Sequence, residues 1–430
     1  MKIAIAGFGV EGRSNYAYFR QNFPEADIVI VDEGDSLDNI PVGATTRLGP
    51  GVFSDLMEFD IVIRTAGLSP SKISTAGRIW SSTNEFFEKC PAPIIGVTGT
   101  KGKGTTCSLI TSILRAAGKR VHLVGNIGVP ALEVLSDIQQ NDIVVYELSS
   151  FQLWDLERSP HVAVVLMIEP DHLDVHSSFE QYVEAKSHIA KYQSSEDVVI
   201  YHPTNEFSRK AATSGSGRQL RYGVRDDGLA YVDMNNFCIQ GDAICGVDTL
   251  HIAGRHNVEN ASAAISAARC IMPELTNLQI QEGLESFDGL PHRLKFVAEK
   301  QGVKFYDDSI ATTPGSAIAA LRSFEGGKVI ILGGSDKGAS YDEVVAVAKQ
   351  EGAQVVAIGQ TGQAIYDLCL QMGVTVVREE GLMEEVVDRA AELANPGDVI
   401  ILSPASASFG QYQSYVDRGN KFIKAVESLQ

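Results

Sequence analysis

The stretch Ile94-Ile95-Gly96-Val97-Thr98-Gly99-Thr100-Lys101-Gly102-Lys103-Gly104-Thr105-Thr106 puts an apolar, strand-like run before a glycine-rich turn, a Gly-Lys pair and the opening of a helix. Phosphate binding asks for that order, because backbone N–H groups of the turn cradle the oxygens and a lysine reaches the β- and γ-phosphates. The expected occupant is ATP. The match to G-x-x-x-x-G-K-[ST] is incomplete: Val97 takes the first glycine position, and Gly104 stands where a hydroxyl would bind Mg2+. Thr105 or Thr106 is left to supply that hydroxyl, and an ordinary glycine turn is the alternative reading.

Outward from this loop, short β-rich runs recur. On the C-terminal side, DIVVY (142–146) leads to Glu147, and VAVVLM (162–167) leads to Asp171, His172 and Asp174. Both sets fall at strand C-termini, where open α/β sheets bind ligands. A carboxylate and an imidazole near a phosphate loop suit Mg2+, which keeps waters and substrate phosphates in its shell. The alternative is that they cap helices. A strand is also expected at 197–201. On the N-terminal side, runs at 2–7, 27–32 and 60–65 predict a parallel α/β unit ending in a linker at Cys90-Pro91-Ala92-Pro93. Its first turn, Gly7-Phe8-Gly9-Val10-Glu11-Gly12, followed by Asp32, fits a dinucleotide fingerprint. Alone it leaves NAD, another nucleotide diphosphate or a tight turn open.

Beyond the centre, residues 213–246 are rich in Gly, Ser and Asp and predict small antiparallel strands, and an Ala-rich helix is expected at 257–268. Phe287-Asp288-Gly289-Leu290-Pro291 punctuates the chain before strand-like runs resume at KFYDD, KVIILGG, VVAIG and DVIILS. The predicted class is α/β in three domains: a Rossmann-like N-terminal domain (1–90), a central P-loop ATPase-like domain (91–290) and a C-terminal Rossmann-like α/β domain (291–430). A chain of 430 residues, 44% apolar, has room for three cores.

With 54 acidic against 36 basic residues the net charge is −18, and without a dense Lys/Arg block this argues against nucleic acid or an anionic membrane as partner. An anionic ligand needs a local basic site. Nothing approaches the roughly 20 apolar residues of a bilayer span, and no cleavage-type site follows the N-terminal run. The six cysteines show no C-x-x-C pair and no zinc-finger spacing. A cytoplasmic protein with reduced thiols and no membrane insertion is expected.

Several longer strings then occur in order: GVTGTKGKGTT (96–106), ELSSFQL (147–153), EPDHLDVH (169–176) followed by Lys186, GRHNVENASAA (254–264), LPHR (290–293), DDSIAT (307–312) and SPASASF (403–409). Together they resemble the Mur ligases of peptidoglycan synthesis. Within that family, ELSSFQL and GFGVEGRSN (7–15) most resemble the branch that adds D-glutamate to UDP-N-acetylmuramoyl-L-alanine. The resemblance implies a ligase that uses ATP to turn a carboxylate into an acyl phosphate, which the amino group of the incoming amino acid attacks. It implies a catalytic set of Lys103, Glu147, His172, Lys186 and Asn126. ATP would lie on Gly99, Thr100, Lys101, Gly102, Lys103, Gly104, Thr105 and Thr106, with Asn257 and Asn260 beside the adenine and phosphates, Arg293 on the γ-phosphate and Asp308 on the ribose. Two Mg2+ ions would take Thr105, Glu147, His172 and Lys186, the lysine being carbamylated by CO2.

The resemblance also reassigns the first glycine motif away from NAD. Gly9, Val10, Glu11 and Gly12 would face the pyrophosphate of the UDP-sugar, Asp32 its uracil, and Thr65, Gly67 and Asn126 its sugar end. His292, Thr312, Lys337, Ser408 and Tyr415 would bind the amino acid, and a monomer is implied. Three positions depart from the pattern. Gly104 replaces Ser or Thr, as is also typical of folylpolyglutamate synthases; Ile310 replaces a Lys that helps bind glutamate; Thr65-Ala66-Gly67 replaces a Ser-Pro-Gly turn. A related ligase with another amino acid, such as L-glutamate, or another acceptor therefore remains open. From other classes, a non-catalytic nucleotide-binding scaffold and an NAD-dependent oxidoreductase also remain.

Overall fold

Strands that alternate between two buried faces build this molecule. Ile3 and Ile5 enter one apolar core while Ala4 and Ala6 enter another, and in the strand Lys328–Gly333 the residues Ile330 and Leu332 face one core and Val329 and Ile331 a second. A strand covered on both sides reads as a continuous apolar run, which is why these segments were visible in the sequence. The computed structural model describes residues 1–126, 129–252, 254–336 and 338–429; the expected amino-acid contact Lys337 lies outside the described residues.

The first sheet is fully parallel, in the spatial order Thr45–Leu48, Asp27–Asp32, Lys2–Ala6, Ile61–Arg64, Arg78–Ser81. The second has six parallel strands in the order Arg218–Arg221, Val198–Tyr201, Val162–Val165, Ile94–Thr98, Ile143–Glu147, Val121–Gly125. The third runs Lys295–Lys300, Val303–Asp307, Val399–Leu402, Lys328–Gly333, Gln354–Ile358, Val376–Glu379, with only the first strand antiparallel. The expected α/β class with largely parallel sheets is observed.

Two expectations need adjustment. Only residues 231–246 form the small antiparallel sheet; Arg218–Arg221 instead pairs in parallel with Val198–Tyr201 as an edge of the second sheet. Polar edge strands carry no apolar run to reveal their partner. The Ala-rich helix is longer than expected, Arg255–Ile271. The chain divides into two compact units, residues 1–249 with 259–286 and residues 250–258 with 287–430. The first two sheets share one apolar core, in which Ile3 and Phe86 join Val144, Tyr146 and Val165, so they fall in one unit. Among the described residues, no helix is long and apolar enough to cross a membrane.

Candidate active site

The phosphate-loop sequence forms a strand, Ile94–Thr98, a turn, and a helix, Lys103–Ala116, that starts on Gly102 at φ +84°. Two of its glycines are there for space. A Cβ on Gly99 (φ +149°) would stand 2.7 Å from the Leu166 Cβ, and one on Gly102 would stand 2.4 Å from Asn260 Oδ1. No side chain caps this helix, so its first N–H groups face the turn. Lys103 bends back and donates through Nζ to the carbonyls of Gly99 and Thr100, both at 3.0 Å.

Loops from the two flanking strands close on the same place. Glu147 is paired in register with Val97, one residue before the turn. It is buried; Oε1 accepts from Asn126 Nδ2 at 3.2 Å, while Oε2 has no hydrogen-bond partner among the described residues. On the other side, Thr100 N donates to Met167 O at 2.9 Å, and Thr100 Oγ1 accepts from Glu169 N at 2.9 Å, which ties the turn to the segment carrying Asp171 and His172. His172 sits at φ +53°, its ring centroid 5.0 Å from Phe151 and 6.4 Å from Tyr182.

Lys186, on the helix Phe179–Lys191, is 1% exposed. Its Nζ donates to Gly99 O at 2.9 Å and Thr98 Oγ1 at 3.3 Å and lies 4.6 Å from the Tyr182 ring centroid. Burial, reinforced by the Lys103 charge, pushes its amine well below the usual lysine range, against the pull of Asp171 and Glu147. Lys103, Glu147 and Asp171 are thus all within electrostatic reach of Lys186. Thr105 and Thr106 are both buried, and among the described residues Thr106 Oγ1 has no hydrogen-bond partner, so a hydroxyl is at hand beside the loop despite Gly104.

Whether these residues suit Mg2+ can be judged from Glu147. A buried carboxylate oxygen without a donor is costly unless a cation completes it, so the arrangement fits. Among the described residues no three His, Cys, Asp or Glu side chains converge as a metal group. Substrate phosphates and water would have to fill most of the shell, as is usual for Mg2+.

In the N-terminal sheet, Gly7 (φ +89°) and Gly12 are demanded by packing: a Cβ on the first would stand 2.4 Å from Thr65 Oγ1, and on the second 2.0 Å from Gly7 O. Gly9 and Gly67 are not; a Cβ on either meets nothing within 4 Å. Gly9 precedes the helix Val10–Asn22, which has no side-chain cap, and Val10 is exposed. Two expected contacts are engaged by the protein itself. Asp32 accepts from Phe8 N at 2.7 Å and Gly34 N at 2.9 Å, and Glu11 accepts from Ala66 N at 2.8 Å and Ser82 Oγ at 2.6 Å.

In the C-terminal unit Tyr415 opens the helix Tyr415–Ser428, and His292 packs against its start. His292 (φ +59°) donates through Nδ1 to the fully buried Asp307 at 2.6 Å and stands edge-on to Tyr415, centroids 6.2 Å apart. Asp308 accepts from Ser403 Oγ at 2.7 Å and Leu294 N at 3.2 Å; burial pushes its carboxyl up to about 7, against these two bonds and the weaker pull of Arg293. Ser408 is buried, Thr312 half-buried. Asn257 is buried at the start of its helix. Sequence reasoning missed Asp307 and Arg418, a fully buried arginine of that last helix. The DDSIAT string carries a signal for Asp307; a single arginine in an amphipathic helix carries none.

Comparison with known proteins points to one family. The model of the Mur ligase middle domain matches residues 97–268, and that of the Mur ligase glutamate ligase domain matches residues 292–406. A UDP-N-acetylmuramoylalanine–D-glutamate ligase of Acetivibrio thermocellus is 36% identical, covering 100% of this chain and 97% of that protein. One of Symbiobacterium thermophilum is 36% identical over 90% and 88%. In fold, the chain is similar to UDP-N-acetylmuramate-alanine ligase MurC from Thermotoga maritima (TM-score 0.61, 19% identity, 100% and 99% covered) and to E. coli FolC in complex with DHPP and ADP (TM-score 0.57, 19% identity, 81% and 92% covered). With both domain matches in chain order and a relative of this identity aligned from end to end, the chain belongs to the Mur ligase family.

Proposed function

We propose that this protein is an ATP-dependent amide ligase that joins D-glutamate to UDP-N-acetylmuramoyl-L-alanine in peptidoglycan precursor synthesis. One observation carries the reading: a lysine-bearing phosphate loop stands beside Glu147, whose buried Oε2 has no hydrogen-bond partner among the described residues, in a family whose curated relatives are named for this reaction. The division of labour would follow the chain, with the UDP-sugar on residues 1–90, ATP on 91–290 and the amino acid on 291–430.

A carboxylate is a poor electrophile. Transfer of the γ-phosphoryl group to the alanine carboxylate makes it an acyl phosphate; the amino group of glutamate adds to that carbonyl, and the tetrahedral species expels phosphate as the amide forms. Phosphoryl transfer asks the protein mainly for positioning and charge neutralisation. Lys103 would leave the Gly99 and Thr100 carbonyls for the β/γ-phosphates, and the turn's N–H groups would hold the remaining oxygens, with Asn260 against the loop. Glu147, His172, the Thr105 or Thr106 hydroxyl and a carbamylated Lys186 would hold Mg2+, two ions by family analogy. The metal would neutralise phosphate charge. Asn126 would orient Glu147 and reach the acceptor end of the sugar nucleotide.

Lys186 suits carbamylation because its amine is buried and held toward the neutral form, the form that attacks CO2. Gly9, Val10, Glu11 and Gly12 would face the pyrophosphate of the UDP-sugar, Asp32 its uracil, and Thr65 and Gly67 its sugar end, with Glu11 and Asp32 also bracing the turn. Arg293 would reach the γ-phosphate and Asp308 the ribose, while His292, Thr312, Ser408 and Tyr415, together with Lys337, would take glutamate. A cytoplasmic monomer belongs to the same proposal. Incubation with ATP, Mg2+, UDP-N-acetylmuramoyl-L-alanine and either glutamate isomer tests it. Phosphate release requiring both the nucleotide and D-glutamate is expected; release that needs neither, or prefers L-glutamate, overturns the assignment.

A further inference from the structure

Arg418 donates through Nε to Ser309 Oγ at 3.0 Å, through Nη2 to Ser309 O at 2.8 Å, and through Nη1 to the carbonyls of Ser406 and Ala407 at 3.1 and 3.2 Å. The side chain is fully buried, and among the described residues no carboxylate lies within ion-pair distance of it. Burial lowers its pKa to about 10, which leaves the guanidinium charged at neutral pH. Asp307 attracts it from beyond ion-pair distance, yet every direct partner is neutral, and burying a cation on neutral acceptors is expensive. What a planar fork of five donors offers in return is the fixing of several backbone segments at once, which a lysine cannot do.

The segments it fixes are those that carry the expected amino-acid contacts. Ser309 opens the turn to Thr312, and its hydroxyl passes the connection on by donating to Tyr415 O at 2.8 Å. Ala407 directly precedes Ser408, and its carbonyl also accepts from Ser335 N at 2.9 Å, just ahead of Lys337. The packing leaves no slack: a Cβ on Gly334 would meet Ala407 O at 2.4 Å and Arg418 Nη1 at 3.2 Å, and one on the neighbouring Gly419 would meet His292 Nδ1 at 2.1 Å.

We propose that Arg418 is the positioning residue of the amino-acid subsite: by tying Ser309 to the carbonyls of Ser406 and Ala407, it sets where Tyr415 and Ser408 stand. This rests on the reading of the C-terminal unit as the glutamate site.

The test compares two nucleophiles. Hydroxylamine traps an acyl phosphate as a hydroxamate without using an amino-acid subsite, so it reports phosphoryl transfer alone. In Arg418→Lys we expect the KM for D-glutamate to rise at least tenfold, with the KM for ATP, the KM for the UDP-sugar and the hydroxamate rate within about twofold of the unsubstituted enzyme. Ser309→Ala, which removes one hydroxyl and leaves the helix intact, should raise the glutamate KM several-fold. The double variant should fall short of the product of the two effects, because both break the same link. An unchanged glutamate KM in both single variants, or an equal loss in the hydroxylamine and glutamate reactions, overturns the positioning role. If the unsubstituted enzyme makes hydroxamate but shows no glutamate-dependent turnover, the amino-acid assignment itself fails.

Discussion

Arg64 and Asp155, 91 residues apart, meet at 2.5 Å: the guanidinium is fully buried at the end of the strand Ile61–Arg64, and the carboxylate follows the helix Ser150–Leu153. Arg64 also donates to Phe151 O at 2.9 Å and Leu68 O at 3.2 Å. The pair thus joins the first sheet to the segment ELSSFQL, whose first residue is Glu147. Removing one partner strands a charge in a low dielectric. Asp155→Ala should lower the unfolding free energy by about 3 kcal/mol or more, measured from urea transitions. The double change Arg64→Met with Asp155→Leu should cost less than Asp155→Ala alone, because no bare charge remains. A single-variant loss below about 1 kcal/mol would mean the pair is solvated.

The glycines of the first turn separate packing from binding. Gly12→Ala places a methyl 2.0 Å from Gly7 O, so the helix must shift; a loss of about 2 kcal/mol or more is expected, in the range of overpacked sites. Gly9 has φ −70° and open space around its Cβ, so Gly9→Ala should leave the melting temperature within a degree or two. If its backbone lies against the UDP pyrophosphate, the same change should raise the KM for the UDP-sugar tenfold or more and leave that for ATP unchanged. Normal UDP-sugar kinetics in Gly9→Ala would remove this turn from the binding site.

The parallel sheets and the phosphate loop were legible because each writes itself locally, as an apolar run buried on both faces or as glycines forced by a close approach. The strand Ile143–Glu147 and the turn after Thr98 are of this kind. Arg64 and Arg418 were illegible for the opposite reason. Their partners, Asp155 and Ser309, are 91 and 109 residues away, and a lone arginine in a strand or amphipathic helix reads as solvated until tertiary packing surrounds it. Asp32 and Glu11 show a subtler limit. The sequence marked them as ligand contacts; the fold adds a second role it could not show, each carboxylate bracing the turn by accepting from backbone N–H groups or a serine.

Lys186 gives a prediction about carbon dioxide. Its amine, buried and repelled by Lys103, titrates well below the ordinary lysine range. The neutral form therefore gains population as pH rises through that lowered value. This form can add to CO2, with the new N–C bond replacing an N–H and the product carrying a carboxylate. Activity should fall at least tenfold in carbonate-free buffer and return on adding bicarbonate. Enzyme in 13C-bicarbonate should show a carbamate resonance that Lys186→Arg lacks. Full activity without CO2 would exclude a carbamate ligand at this position.

Asp308 ties stability to pH with a definite sign. Its carboxyl is raised from the ordinary carboxylate value of 3.8 to about 7, chiefly by burial. Between those two values the folded protein binds a proton that the unfolded chain releases. The associated stability is complete below pH 4, declines as pH rises through that window and is gone above about 7, amounting to at most about 4 kcal/mol. The urea midpoint of the C-terminal unit should thus drop between pH 5 and 7.5. Asp308→Asn keeps an acceptor for Leu294 N but no longer titrates, so its midpoint should be flatter over the same range. If the ribose of ATP also binds here, Asp308→Asn should raise the KM for ATP about tenfold at every pH while the glutamate KM stays put. A pH slope identical to that of the unsubstituted protein would place the titration elsewhere.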